Sequence, residues 1–282
     1  MSGEKLKVLP QYLMPKRLIT ELAGKLASGE HGGMTTKAIR WFIKRYQVNM
    51  AEALNPDPAS YKSFNAFFTR PLKEGARPLA DSTLVCPVDG AISQCGPIEG
   101  EQIFQAKGHS YTATTLLGND RELAKAFIDG TFATLYLSPK DYHRIHMPCQ
   151  GKLKLMRYVP GDLYSVNPVT ARNVPGLFAR NERLVCVFDG EQGPFVMVLV
   201  GATIVGSMAT VWHGLVNPPR AKDIVDYRYD NEAIVLNKGD EMGRFLLGST
   251  VVLLFPKNQW QLPVDWTATR PIRMGEAMST ML

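Results

Sequence analysis

Residues 193–212 read GPFVMVLVGATIVGSMATVW and carry no charge. An uncharged run of this length is long enough to cross a bilayer as a helix. Its composition argues against that. Val196, Val198, Val200, Thr203, Ile204, Val205, Thr210 and Val211 are β-branched, and Gly201 and Gly206 interrupt the run. β-branched side chains pack well on a pleated surface and lose freedom in a helix. The stretch therefore predicts two buried strands with a bend between them, not a membrane span.

The same texture extends over the rest of the downstream chain. Short apolar runs at Leu84–Val88, Thr131–Leu137, Leu184–Phe188, Phe195–Val200 and Thr250–Phe255 are separated by Gly, Pro, Asp and Asn. Such spacing predicts a β-rich domain over 81–282, with one short helix near Arg121–Ile128. Residues 1–80 differ. Leu13, Leu18, Ile19, Leu22 and Leu26 recur at helical spacing among Lys16, Arg17 and Lys25. After Gly32 and Gly33, Ile39, Trp41, Phe42, Ile43 and Tyr46 lie among Lys37, Arg40, Lys44 and Arg45, and a third segment, Tyr61–Phe68, follows the turn at Pro56 and Pro58. These are amphipathic helices. They can pack on their own core or lie in a lipid interface, and the pattern alone leaves both open. The expected fold class is α+β: N-terminal amphipathic helices followed by a β-rich domain, a barrel or sandwich, which rests partly on this texture and partly on the family resemblance that the motifs below carry.

The chain has 282 residues, a formal net charge of +6 and 45% hydrophobic residues. That is ordinary globular composition with a preference for anionic partners. The basic residues are dispersed and form no nucleic-acid motif, so no nucleic-acid partner is expected. Cys86, Cys95, Cys149 and Cys186 lie far apart without a C-x-x-C pair, which argues against a zinc or redox motif; no metal is expected. The opening MSGEKLKVLP lacks a signal-peptide core, which predicts the cytosolic side and reduced thiols.

Three short segments carry the chemistry. Val88-Asp89-Gly90 ends a predicted strand. Asp141-Tyr142-His143-Arg144-Ile145-His146-Met147-Pro148 follows another. Leu247-Gly248-Ser249-Thr250 leads into a third. Asp89, His146 and Ser249 are the parts of a nucleophilic serine system. The serine has no G-x-S-x-G context. Gly248 directly before it instead permits the hydroxyl to approach its own carbonyl. Each piece has a plainer reading: Gly-Ser-Thr and Asp-Gly are common turns, and H-x-x-H can bind a metal or cap a loop.

Taken together the segments are more specific. SFNAFFTRPL (63–72), PVDGAIS (87–93), QAKGHSY (105–111), YLSPKDYHRIHMP (136–148), VPGDLYSVN (159–167), LFARNER (177–183), LVGATIVGS (199–207) and EMGRFLLGST (241–250) occur in this order. In them the chain resembles the phosphatidylserine decarboxylases of the bacterial type over nearly its whole length. The resemblance implies a self-cleaving proenzyme cut between Gly248 and Ser249, giving a β chain of 1–248 and an α chain of 249–282. Ser249 would become a covalent pyruvoyl cofactor that forms a Schiff base with the amine of phosphatidylserine. Carbon dioxide would leave, giving phosphatidylethanolamine. It also implies a processing triad of Asp89, His146 and Ser249, with Asp89 orienting His146. His143 is implied in substrate binding and proton donation. His109 becomes a candidate to line the site, and His31 and His213 remain without a role. An αβ heterodimer that dimerises further, on the cytoplasmic side of the inner membrane, follows from the same resemblance. A lipid substrate tips the reading of residues 1–80 toward a membrane interface on anionic lipid.

Three rivals make different predictions. A pyruvoyl enzyme for a soluble amino acid would need no membrane face. A serine hydrolase would work as an intact chain. A lipid-binding module would release no carbon dioxide.

Overall fold

The structure, a computed structural model, describes residues 3–204, 207–246 and 250–281. Five helices lead: α1 (Gly3–Val8), α2 (Pro10–Leu13), α3 (Lys16–Ser28), α4 (Gly33–Tyr46) and α5 (Phe64–Phe68). The strands that follow are β1 (Leu84–Val85), β2 (Gly90–Pro97), β3 (Gln102–Ala106), β4 (His109–Thr112), β5 (Thr131–Tyr136), β6 (Arg144–His146), β7 (Gly151–Val159), β8 (Arg183–Gly190) and β9 (Gly193–Val200). After the bend come β10 (Met208–Thr210), β11 (Gly214–Leu215), β12 (Val225–Arg228), β13 (Val235–Leu236), β14 (Glu241–Phe245), β15 (Thr250–Phe255), β16 (Trp260–Gln261), β17 (Pro271–Ile272) and β18 (Ala277–Met281). Among the described residues four short α-helices lie between them; Arg121–Lys125 falls within the expected Arg121–Ile128, and Ala113–Leu116, Pro168–Ala171 and Leu177–Arg180 are additional to the sequence expectation.

The main sheet has the order β12-β7-β8-β9-β15-β5-β2-β17, with β13 also paired to β7. Among the described residues it is an open path with two edges, not a closed barrel. A four-stranded sheet, β11-β10-β14-β6, and a three-stranded one, β1-β18-β16, accompany it. All strand pairs are antiparallel, so the class is α+β.

Residues 193–212 behave as their composition predicts. They hold β9 and β10, with a turn at Thr203–Ile204 between them; Val205 and Gly206 are outside the described residues. Both faces of β9 are covered. Phe195, Met197 and Leu199 enter one core cluster, while Val196, Val198 and Val200 enter another on the opposite face. A strand buried on both sides shows no polar alternation, which is why this run resembles a membrane span on paper. β15 repeats the arrangement: Val251, Leu253 and Phe255 face the first cluster, Val252 and Leu254 the second. The first cluster also takes Ile145 from β6, Met208 from β10 and Phe245 from β14, so the smaller sheet closes one face of the larger.

The N-terminal helices hold a small core of their own. Ile39, Val48, Tyr61, Phe67 and Phe68 are buried together, with Phe42 packed edge-on against three phenylalanines of α5. Ser63 caps α5 by accepting from the Ala66 amide at 3.1 Å. No helix among the described residues is long and apolar enough to cross a membrane.

Leu253 is fully buried in the centre of the main sheet. Leu253→Ala is expected to cost about 2–5 kcal/mol in urea unfolding; a loss below about 1 kcal/mol would contradict the central placement of β15.

Candidate active site

A cavity of about 760 Å³ opens between the β2–β17 edge, the Ser138–Tyr142 turn and the segments around Glu52 and Arg70. Asp89, Arg77, Arg70, Asp141 and Tyr142 stand in its wall, and Gln47 and Asn49, just after α4, also line it.

Asp89 precedes β2 and is 7% exposed. Its carboxylate is spanned by Arg77: Nε donates to Oδ1 at 2.9 Å and Nη2 to Oδ2 at 2.5 Å. The Met274 amide adds a bond to Oδ1 at 2.9 Å. Arg77 also reaches Glu52 at 2.7 Å, and Glu52 holds Arg273 at 2.8 Å. Burial disfavours both charged groups. The mutual hydrogen bonds and charges outweigh it, so the Arg77 guanidinium lies above its ordinary pKa and the Glu52 carboxyl below. Gly90 follows Asp89 at a close backbone approach, where a Cβ would collide with the Tyr136 carbonyl oxygen.

His146 sits on β6, 9% exposed. Its Nδ1 is 2.8 Å from the Gly239 carbonyl and its Nε2 is 3.0 Å from the Tyr142 hydroxyl. A carbonyl can only accept, so Nδ1 carries the proton and Nε2 presents its lone pair to the Tyr142 hydroxyl. Burial holds the imidazole below its usual pKa, against the Gly239 bond and the nearby charges of Glu241 and Asp89. The sequence reading has Asp89 orienting His146. The geometry corrects that: Asp89 is committed to Arg77, and the Gly239 carbonyl orients the ring. The two residues remain neighbours, since the His146 amide donates to the Pro87 carbonyl at 2.9 Å.

His143 is completely buried, its ring 4.1 Å from that of Phe68. Its Nδ1 donates to the Asp141 carbonyl at 2.8 Å, and its Nε2 is buried without a partner among the described residues. Burial takes the ring pKa down to about 3. The expected proton donor is thus, in this state, a neutral ring offering a lone pair. Burial also pushes Tyr142 up to about 12 and raises Asp141.

Leu247, Gly248 and Ser249 lie outside the described residues. Of their described neighbours, Phe245 donates its amide to the His143 carbonyl at 3.1 Å, and Thr250 stands in register with Tyr136 and Val200. His109 lies on β4 and is not among the residues lining the cavity. His213 meets the Tyr229 hydroxyl at 3.2 Å, and His31 is exposed. The described residues contain no group of three or more side chains placed to hold a metal.

Sequence reasoning did not single out Tyr142, Gly239, Arg77 or Arg70. Tyr142 and Arg70 stand inside quoted segments, so a signal was present. Gly239 acts through its backbone and Arg77 is an isolated loop arginine, so neither carries one.

Comparison with known proteins adds an independent line. A family model described as phosphatidylserine decarboxylase matches residues 64–280, and a second, described as PSD, matches residues 6–47. A phosphatidylserine decarboxylase proenzyme of Dechloromonas aromatica (strain RCB) is 68% identical over 278 residues, covering 99% of each chain. That of Azoarcus sp. (strain BH72) is 66% identical over 279 residues, covering 99% of this chain and 97% of the relative. That of Herminiimonas arsenicoxydans is 64% identical over 277 residues, covering 98% and 94%.

The buried His143 makes a pH prediction. The unfolded chain binds a proton at this ring below about pH 6.5, while the folded chain does not until about pH 3. Its contribution is therefore full above pH 6.5 and lost as pH falls toward 3. Between pH 7.5 and 5 the loss is about 2 kcal/mol. His143→Gln is expected to remove that part of the acid slope in urea titrations; an unchanged slope would show that the ring is protonated in the fold.

Proposed function

We propose, because this chain belongs to the phosphatidylserine decarboxylase family, that it cuts itself between Gly248 and Ser249 and uses the resulting terminus on a lipid headgroup. The chain is a decarboxylase of phosphatidylserine and is made as a proenzyme. The observation that carries the processing step is His146, a neutral buried imidazole whose Nδ1–H is fixed on the Gly239 carbonyl, leaving Nε2 as the base. In this reading Nε2 exchanges the Tyr142 hydroxyl for that of Ser249 and takes its proton. The oxygen attacks the Gly248 carbonyl, turning the amide into an ester. Elimination then releases chain 1–248, and hydrolysis with loss of ammonia leaves a pyruvoyl group on chain 249–282. Asp89 assists through its charge, which favours the imidazolium form.

The pyruvoyl group supplies a carbonyl that takes up the substrate amine and accepts the electron pair released with carbon dioxide. Two buried polar atoms without partners among the described residues would suit such a group: the His143 Nε2 and the hydroxyl of Thr250, the residue next in the chain to position 249. His143 offers an acceptor at the reacting centre, and it must first gain a proton before it can return one to the product carbon.

Residues 1–80 form the lipid-facing part. On α3, Leu18, Leu22 and Leu26 stand at 56%, 53% and 68% exposure while Thr20 and Ala27 are buried. The leucines make one outward apolar stripe, the reverse of a helix packed on its core. On α4, Met34 and Trp41 are also exposed, with Lys37 and Lys44 beside Trp41 on the same face. A tryptophan between lysines suits the headgroup boundary, with anionic lipid attracting the basic rim. The exposed leucines and Trp41 support a peripheral seat on the membrane; the cytoplasmic side of the inner membrane and a cleaved pair of chains that dimerises further are part of the same proposal, by resemblance to the family.

Intact mass tests the processing. The wild type is expected to give two chains, the smaller starting at position 249 with a pyruvoyl mass, and Ser249→Ala a single chain. His146→Gln should slow cleavage by about 100-fold or more. A single uncut wild-type chain would sink the mechanism, and a cut Ala variant would assign the cleavage to another protease. For the membrane face, replacing Leu18, Leu22 and Leu26 together by Ser is expected to weaken co-sedimentation with phosphatidylserine vesicles by about tenfold or more. Unchanged binding would move the contact elsewhere.

A further inference from the structure

We propose that Arg70 is the residue that grips the phosphodiester of the substrate headgroup in the cavity. The inference rests on the decarboxylase reading above and names the cation its substrate would meet.

The buried arginines of this fold differ in how their donors are used. Arg157 is held by Asp120 and Asp226. Arg183 spends its three nitrogens on the carbonyls of Leu116, Asn181 and Thr115. Arg70 is 3% exposed and lines the cavity, yet among the described residues its side chain makes one hydrogen bond, from Nη2 to the Lys140 carbonyl at 3.2 Å. Its Nε is buried with no partner, and no carboxylate lies within ion-pair distance among the described residues. A guanidinium has five N–H donors in a fork, and burying it without an anion is costly. A site that keeps such a group at a cavity wall is built to receive an anion there.

The two carboxylates nearby are already engaged. Asp89 is spanned by Arg77, and Asp141 accepts at Oδ2 from the Ser138 amide and hydroxyl, both at 2.7 Å. Lys140, exposed and also lining the cavity, adds a second positive charge. Arg70 is held in place: its guanidinium lies over the Phe67 ring at 5.4 Å, and the preceding carbonyl, that of Thr69, accepts from Arg144 Nε at 2.8 Å. Phe68, two residues before Arg70, sets its ring 4.1 Å from that of His143 at a tilt of 41°, and the Arg70 charge acts on that imidazole, so Arg70 stands close to the proposed reacting centre.

The substrate carries two anions, a carboxylate and a phosphodiester. Decarboxylation drains charge out of the carboxylate. A fixed cation on that group would stabilise the starting state more than the transition state and slow the reaction. The phosphodiester keeps its charge throughout, so a cation there anchors the headgroup equally in both states. Loss of Arg70 should therefore appear in KM and leave kcat nearly intact.

The test uses full-length Arg70→Gln and Arg70→Lys, first checked by intact mass for self-cleavage. Decarboxylation is then followed on phosphatidylserine in mixed micelles, and phosphatidylethanolamine, which has the phosphodiester but no carboxylate, is titrated as a competitor. For Arg70→Gln, KM is expected to rise about tenfold or more, with kcat within about threefold and the inhibition constant of phosphatidylethanolamine rising in parallel. Arg70→Lys should fall between, since it keeps charge but not the fork. A KM rise with unchanged inhibition would mean that Arg70 reads the carboxylate, and an unchanged KM that it reads neither; both overturn the proposal. Loss of self-cleavage in both variants would overturn it too, making Arg70 part of the fold or the processing step. A wild-type chain that neither cuts itself nor releases carbon dioxide would fail at the earlier reading, an outcome visible before any variant is made.

Discussion

The architecture depends on β15 being hydrogen-bonded on both sides. It runs between β5 and β9 in the middle of the main sheet, and all of its six side chains are buried. The strand begins immediately after the proposed cleavage site, so the segment that would become the separate α chain is the centre of the sheet. Its downstream strands extend the hold: β17 pairs with β2, and β18 with β1 and β16. Cutting the backbone before Thr250 removes one covalent link and none of these pairings. The folded state keeps its buried area, which dominates stability.

A second link across that cut is electrostatic. Glu52 comes from the N-terminal region, Arg77 and Asp89 from the approach to the sheet, and Arg273 from the C-terminal segment. Two carboxylates alternate with two guanidinium groups, so their charges balance within the network. That pairing gives the buried Asp89 carboxylate a guanidinium partner at the cavity wall. It also explains why Asp89 does not reach for His146: a bidentate arginine and a backbone amide already occupy its oxygens.

Most of the fold could be read from patterning. β5, β8, β9 and β15 fall where apolar runs lie between turn residues, and α3 and α4 fall where leucines and aromatics recur at helical spacing. The 193–212 run was legible only through its β-branched residues and glycines, because a strand covered on both faces has no alternation to show. The path of the main sheet was not legible. It joins β2, β5, β15 and β9, which are remote in sequence, and local composition holds no record of that pairing. In the site, Asp89, His143 and His146 stood out because few residue types do their chemistry. The partners that set their state did not, since the Gly239 and Asp141 carbonyls are backbone groups that any residue supplies. Arg70 was within a quoted motif, but its significance lies in donors left unused, which only a three-dimensional count of partners shows.

The tilted contact of the Phe68 ring with that of His143 joins two parts of the molecule that the chain keeps far apart. α5 packs against α3 and α4, the helices with the exposed leucines and Trp41, and its last residue rests on the imidazole beside the cavity. Such a contact would couple the two parts thermodynamically if occupancy of each shifted it. If binding at the helices shifts α5, and with it the affinity of the cavity by some factor, then filling the cavity shifts the hold on the membrane by the same factor. Substrate and product differ in charge, so the same contact would let the enzyme's residence on the bilayer report the local ratio of the two lipids.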